Sequence, residues 1–284
     1  AVAVAAAEAG RRTAWTTVDE PVHLAAAREL ADGRGVVSNF EHPVLMKLVS
    51  AAGLASRPPG HIVEETRNGR RLFPWLLGLL VLGAGLWARR LAGPVAGAGA
   101  AVLVLADPTL RGHAPLVQSD LLLAVCLVWA GFLLDAAARG RRVDLRLAAA
   151  SGAAYGLALV SKYSALPFLP VFLAVAALRF ARARRSGPVP AGVRRKRTGA
   201  PSRVRAVSAF AATAVLGATA LATAFFVQEA ALHGTPRERL RAGIARSLLP
   251  VAGEEPTRKA LDRAANAPKG VAAYVTGLSY VRAA

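Results

Sequence analysis

The chain has 284 residues, 54% of them hydrophobic, and its apolar residues are gathered in stretches longer than a soluble domain needs. Its net charge of +19 is typical of nucleic-acid-binding proteins, but the basic residues fall in a few gaps between apolar stretches, which excludes that function for the chain as a whole. The single cysteine, Cys126, excludes a disulfide framework and a cysteine-rich metal site. It is expected to pack as a small hydrophobic group.

The first 71 residues are predicted to lie at the outer face of a membrane. Residues 1–10 are too short to cross a bilayer and are either the outer end of a first membrane helix or a signal-peptide remnant. Residues 11–71 form a first outer loop, in which 21–31 and 43–55 are predicted to be amphipathic helices lying in the interface. Residues 56–71 are predicted to be a polar loop.

An all-α bundle of transmembrane helices is predicted for residues 72–228. Six apolar segments approach the length that crosses a bilayer once their Ala- and Gly-rich flanks are included. These segments are residues 72–88, 94–106, 119–138, 147–160, 163–178 and 206–227. Residues 229–284 turn polar again and are predicted to be an outer segment with short surface helices.

The basic residues predict which side of the membrane each loop occupies. Ten Lys and Arg lie in residues 179–205, and others crowd the alternate gaps at residues 139–146 and 89–90. Because cytoplasmic loops are rich in Lys and Arg, these gaps are predicted to face the cytoplasm. The intervening gaps contain only Arg111 and Lys162 and are predicted to lie outside. An RNA-binding patch is the alternative for residues 179–205.

Two acidic residues, Asp19 and Glu20, directly precede the first predicted amphipathic helix. One interpretation is helix capping, because carboxylates stabilise a helix N-terminus. The other is catalysis, because a carboxylate at a dry interface gains proton affinity and can accept a proton from a hydroxyl group.

Glu41 and His42, followed by Pro43, form a second candidate. The pair could bind a divalent metal or a phosphate, although two ligands are fewer than zinc normally takes. His61 and His113 are further candidate ligands that no spacing favours. The alternative is simply a helix start at Pro43.

Asp120 and Lys162 are the remaining candidates. Asp120 begins an apolar segment, where Ser119 or Asp120 could cap the helix, whereas Asp107 before Pro108 predicts a turn. An ionisable residue at the head of a membrane helix also indicates function. Lys162 stands between two apolar segments, where it either extends to the headgroups or binds an anion such as a phosphate.

Four segments occur in a familiar order: TTVDEPVHLAAARELADGRG, NFEHPVLMKLV, DPTLRGHAPLVQSDLLLA and GLALVSKYSALPFLP. Over roughly residues 15–180 the chain resembles the GT-C superfamily of polyprenyl-phosphate-dependent glycosyltransferases. The most similar branch is the protein O-mannosyltransferase and aminoarabinose-transferase-like group (glycosyltransferase family 39-like). The chain resembles only part of such a protein, since members usually have more spans.

The resemblance implies roles for individual residues. Asp19 corresponds to the general base, accompanied by Glu20, and Asp120 to the acid of a TTD-like motif that reads QSD here. Glu41 and His42 correspond to an EHPP-like motif in which Val44 replaces the second Pro. Lys162, together with His42, would contact the phosphate of the donor.

The resemblance also implies a reaction. A sugar would pass from a polyprenyl phosphate to a protein, lipid or glycan hydroxyl at the periplasmic or extracellular face of the plasma (inner) membrane, with inversion. A divalent metal is a candidate cofactor, and no nucleotide is needed, in keeping with the absence of a GxxxxGK[ST] motif. The alternatives are a transporter, which needs polar residues near the midplane of its spans, and a non-catalytic membrane scaffold.

Overall fold

A computed structural model describes residues 2–36, 38–39, 42–55, 58–139, 143–183 and 202–283, and every regular element within these ranges is a helix. The helices are α1 Val2–Thr13, α2 Glu20–Ala31, α3 Leu45–Leu54, α4 Ile62–Gly69, α5 Phe73–Ala92, α6 Pro94–Ala106, α7 Pro108–His113, α8 Ser119–Ala137, α9 Leu145–Leu159, α10 Leu169–Ala183, α11 Ser202–Leu232, α12 Arg237–Ala252, α13 Glu254–Asn266 and α14 Lys269–Ala283. A 3₁₀-helix, Tyr163–Phe168, leads directly into α10. The predicted all-α class is confirmed.

All six predicted spans are helical, but they differ in length. Four candidate spans are long and apolar enough to cross a bilayer: Ile62–Ala92, Ser119–Ala137, Tyr163–Ala181 and Ala209–Leu232. α6 and α9 are shorter apolar helices of 13 and 15 residues. The chain is therefore a multi-span helical bundle. Of the six predicted spans, four are confirmed as long enough to cross a bilayer, and two are shorter.

The centre of the bundle is α9, which packs between α8 and α11. Two glycines of α9 allow this approach: a Cβ on Gly152 would lie 2.2 Å from the Leu216 carbonyl oxygen, and one on Gly156 would lie 2.4 Å from the Ala220 carbonyl oxygen. Small residues permit such backbone contact between membrane helices, where no hydrophobic force drives association. On the other side, Ser151 donates a hydrogen bond of 2.7 Å to the Ala130 carbonyl oxygen of α8.

Described residues from the three basic gaps meet at one end of the bundle, called here the arginine end. Asp135 of α8 pairs with Arg139 at 2.8 Å and with Arg179 of α10 at 3.4 Å, which brings two of the basic gaps together. The third gap is represented by Arg90 of α5. Its guanidinium lies 5.6 Å from the centre of the ring of Phe132, which belongs to α8 like Asp135. The predicted grouping of the basic gaps is confirmed for these residues, while residues 184–201 lie outside the described part.

Three helices of the first loop, α2, α3 and α4, cover the opposite end of the bundle. The two helices predicted for residues 21–31 and 43–55 are present as α2 and α3, and their position in the membrane interface stays a prediction. The prediction of a polar loop over residues 56–71 is wrong in part, because α4 occupies Ile62–Gly69. This helix is started by His61, whose ring nitrogen accepts a hydrogen bond from the Val63 N–H at 3.4 Å, and by acidic residues in its first turn.

The segment after α11 folds into three helices with their own core. α12, α13 and α14 enclose buried residues that include Leu240, Ile244 and Leu248. This unit is tied to the first loop, since Val36 donates its N–H to the Thr235 hydroxyl at 3.0 Å. Helices are thus present in this segment, as predicted, and its location outside the membrane stays a prediction. Cys126 is buried in the main core, as predicted.

Candidate functional site

A buried ion pair lies at the opposite end of the bundle, between Glu20 and Arg70. The Arg70 guanidinium donates to the two carboxylate oxygens of Glu20 at 2.7 and 2.5 Å, and the side chains are 0% and 1% exposed. Glu20 also accepts the Thr17 N–H at 2.8 Å and the Val117 N–H at 2.9 Å. One carboxylate therefore joins the loop before α2, the C-terminal end of α4 and the segment before α8.

The hydrogen bonds keep Glu20 ionised despite its burial. Burial by itself would raise the pKa of Glu20, but the bonds from Arg70 and from the two backbone N–H groups lower it below the ordinary value. Arg70 also donates to the carbonyl oxygens of Ala14 and Trp15, each at 2.8 Å. The loop between α1 and α2 is thus held at both of its ends.

Asp19 differs from its neighbour, although sequence reasoning paired them. Its backbone takes the cap position of α2, but its side chain makes no capping hydrogen bond and is exposed. The capping interpretation is therefore wrong for the Asp19 side chain. The Asp19 side chain is therefore exposed, and it stands on a loop that the buried Glu20 side chain holds in place.

Asp120 and Lys162 form an ion pair at the same end. The Lys162 ammonium lies 2.5 Å from a carboxylate oxygen of Asp120, and both side chains are partly exposed, at 37% and 53%. The cap of α8 is Gln118, without a side-chain cap bond, so capping by Ser119 or Asp120 is not observed. Asp107 does cap: it accepts the Leu110 N–H at 2.8 Å and starts α7.

A third group surrounds His42. Its ring meets the His23 ring edge-on, with the centroids 5.0 Å apart, and its carbonyl oxygen accepts a bond of 2.9 Å from the buried Lys47 ammonium. Lys47 also donates to the Asn39 carbonyl oxygen, and the Asn39 amide contacts the His23 ring. Burial, with smaller contributions from the nearby His42 and Lys47, lowers the pKa of His23 to about 4. His23 is therefore neutral near pH 7.

Hydrogen bonds between neighbouring segments place the three groups at the same end of the bundle. The Val117 N–H that binds Glu20 precedes Asp120 by three residues, and the Leu45 N–H donates to the Val160 carbonyl oxygen at 3.0 Å, two residues before Lys162. Asp19, His42, Asp120 and Lys162 thus lie at one end of the bundle, as predicted. Glu41 lies outside the described residues.

The candidate metal ligands are not brought together where the structure describes them. His61 caps α4, and His113 contacts the Gln118 side chain at 2.5 Å. Among the described residues no group of three His, Cys, Asp or Glu side chains could hold a metal ion. With Glu41 outside those residues, the proposed metal stays a prediction.

Sequence reasoning missed Arg70. It stands in the run NGRR at the end of what was predicted to be a polar loop, where an arginine is ordinarily solvated. The one available signal was its position directly before an apolar span, where a cation that does not reach water needs a partner. A cleft of about 230 Å³ adjoins it, lined by Trp15, Thr16 and Arg67 among others.

Residues 61–190 match the family model described as dolichyl-phosphate-mannose-protein mannosyltransferase. The match covers somewhat less than half of the chain, and it includes Asp120 and Lys162 but not Asp19 or His42. It confirms the resemblance over this part and supports a multi-pass membrane glycosyltransferase of the mannosyltransferase type. No curated protein and no solved structure matches the chain.

The Glu20–Arg70 pair yields a prediction about stability. Glu20→Gln or Arg70→Met should each lower the free energy of unfolding by about 3 kcal/mol or more, because each leaves a buried charge or donor without its partner. The double variant should lose less than the sum of the two. Denaturant unfolding in detergent micelles measures all three values.

The matched control is the exposed pair of Arg34 and Asp32, at 2.7 Å. Arg34→Met should change the free energy of unfolding by less than about 1 kcal/mol. Strictly additive losses for the Glu20 and Arg70 variants would contradict the coupling.

Proposed function

We propose that the protein transfers a sugar from a polyprenyl-phosphate carrier to a hydroxyl group of a protein, lipid or glycan acceptor at the outer face of the plasma (inner) membrane. The observation that carries this proposal is the location of Asp19, Asp120 and Lys162 at the same end of the bundle, opposite the arginine end. The family model adds support, because dolichyl phosphate mannose, in the name of that family, is a sugar on a polyprenyl phosphate.

Asp19 would act as the general base. Its carboxylate is exposed and makes no capping hydrogen bond, so it is accessible to an incoming acceptor. It would take the proton of the acceptor hydroxyl while the oxygen forms a bond to the anomeric carbon. Glu20 would act by fixing the loop that carries Asp19, since its own carboxylate is occupied by Arg70 and two backbone N–H groups.

Lys162 would bind the leaving phosphate. The bond from the anomeric carbon to the phosphate oxygen breaks as the new bond forms on the opposite face, which inverts the configuration. Negative charge then grows on the phosphate, where a positioned ammonium group stabilises it. Asp120 holds Lys162 in place at 2.5 Å before the donor binds, and both side chains are accessible. His42 is the second candidate for contact with the phosphate.

Charge within the spans argues against a transporter. Transport sites commonly place polar or charged groups near the membrane midplane. The one acidic residue of α8 away from its start is Asp135, which lies at the arginine end and is paired with Arg139 and Arg179. The accessible acids that are candidates for chemistry lie at the opposite end.

The first test replaces the base. Asp19→Asn in the intact protein should lower sugar transfer at least about a hundredfold, because the amide cannot accept the proton, while insertion into the membrane is unchanged. Transfer of radiolabelled sugar from polyprenyl-phosphate donors to protein, lipid and glycan acceptors measures the loss. Asp262→Asn, at an exposed position of α13, is the control and should transfer normally. Normal transfer by Asp19→Asn would remove Asp19 as the base.

The second test concerns the phosphate. Lys162→Gln should raise the KM for the polyprenyl-phosphate sugar and lower kcat/KM about tenfold to hundredfold, because one charge-assisted hydrogen bond is lost. Lys162→Arg keeps the charge and should restore part of the activity. Lys259→Gln removes an exposed lysine that pairs with Glu255 at 2.7 Å, and it should leave both constants unchanged. An unaltered KM in Lys162→Gln would contradict the assignment.

The third test concerns sidedness. With Cys126 replaced by Ser, a cysteine at Asp262 should react with an impermeant maleimide added to intact cells, whereas a cysteine at Arg146 should react only after the membrane is opened. Both positions are exposed in the protein, and a permeant maleimide should label both. The opposite pattern would place the candidate site in the cytoplasm and contradict transfer at the outer face.

A further inference from the structure

An apolar cavity of about 170 Å³ lies between the end of α9, α11 and α14. Its lining includes Leu159, Leu166 and Val271, and Leu221 and Phe225 are exposed at its mouth. Apolar cavities of about 150 Å³ stay dry and take up hydrocarbons. The cavity is therefore suited to a hydrocarbon chain that enters from the surrounding lipid.

One polar side chain, Gln228 of α11, lines this cavity. It is 3% exposed, and its amide oxygen is shielded from solvent without a hydrogen-bond partner among the described residues. A buried acceptor without a partner costs about 1–3 kcal/mol, so its presence needs a reason. In a membrane span, a polar residue that faces a cavity indicates a ligand site.

The other polar groups at or beside the cavity already have hydrogen-bond partners. The Tyr274 hydroxyl donates to the Leu159 carbonyl oxygen at 3.3 Å, and burial raises the pKa of Tyr274 to about 12. Glu229, the neighbour of Gln228, accepts the Gly270 N–H at 2.6 Å. The described lining contains no Lys, Arg, His, Asp or Glu, so an anionic group such as a phosphate would have no countercharge there.

We propose that this cavity binds a neutral lipid alcohol, with its hydrocarbon chain against the apolar wall and its hydroxyl group hydrogen-bonded to the Gln228 amide. A hydroxyl group supplies the donor that the amide oxygen lacks, and its own oxygen can accept from the amide nitrogen. Lys162 is not among the residues that line the cavity, and the proposal does not depend on sugar transfer by the protein.

The test compares two probes that differ by one donor, farnesol and farnesyl methyl ether. Thermal unfolding of the full chain in detergent can be followed with a fluorogenic thiol reagent, because the only cysteine, Cys126, is buried and reacts when the chain unfolds. Farnesol should raise the unfolding temperature and bind about threefold to tenfold more tightly than the ether, as expected for one net hydrogen bond. Equal binding of the two probes, or no shift with either, would overturn the proposal.

Two variants separate the hydroxyl contact from the cavity. Gln228→Leu should fold at least as stably, since it removes the unpaired amide, and should bind farnesol and its ether equally. Ala224→Leu, which adds volume to the cavity lining, should weaken binding of both probes. A preference for farnesol that persists in Gln228→Leu would overturn the assignment.

A third probe keeps this site apart from the proposed activity. Binding of farnesyl phosphate should depend on Lys162 and not on Gln228, whereas farnesol binding should survive in Lys162→Gln. Loss of farnesol binding in Lys162→Gln would contradict two separate sites. A protein that binds farnesol as described but transfers no sugar would retain the cavity site and lose the proposed function.

Discussion

The candidate site depends on one buried contact, the ion pair between Glu20 and Arg70. Removing two charges from water is costly, and attraction between them offsets that cost only when further hydrogen bonds occupy the remaining oxygens and N–H groups. Here Thr17 and Val117 donate to the carboxylate, while Ala14 and Trp15 accept from the guanidinium. Because the six groups come from three separate segments, their geometry is fixed together, and Asp19 is fixed with them.

The second half of the site is positioned by packing rather than by charge. Lys162 follows α9, whose glycines bring its backbone against α11, and whose C-terminal end accepts a hydrogen bond from Leu45 of α3. Asp120 begins α8, which α9 contacts through Ser151. The partly exposed Lys162–Asp120 pair contributes little stability in such a setting, so it is free to exchange its partner for a ligand.

The sequence allowed the helices and the two ends of the bundle to be predicted, because both depend on local composition: apolar length defines a span, and clustered arginines define a side. It did not allow the different positions of the two acids to be predicted, with Asp19 exposed and Glu20 buried in an ion pair. Glu20 is buried because it is bound by Arg70, 50 residues away, and by the backbone N–H of Val117, 97 residues away. α4 was missed for a related reason, since its short polar sequence gains stability from packing against α2 and α3.

The exposure of Asp19 fits a site that is completed by its substrates. A general base, the role proposed for Asp19, works best when water is excluded. Asp19 is nevertheless exposed, as are the neighbouring apolar side chains of Trp15 and Val18, at 87% and 94%. Exposed apolar side chains beside a polar group are typical of a surface that lies at the lipid interface or receives a ligand. In the proposed reaction, lipid headgroups, donor and acceptor would together cover this loop and exclude water from the carboxylate. The buried ion pair keeps the loop in place meanwhile, so that binding need only exclude water and not also order the chain.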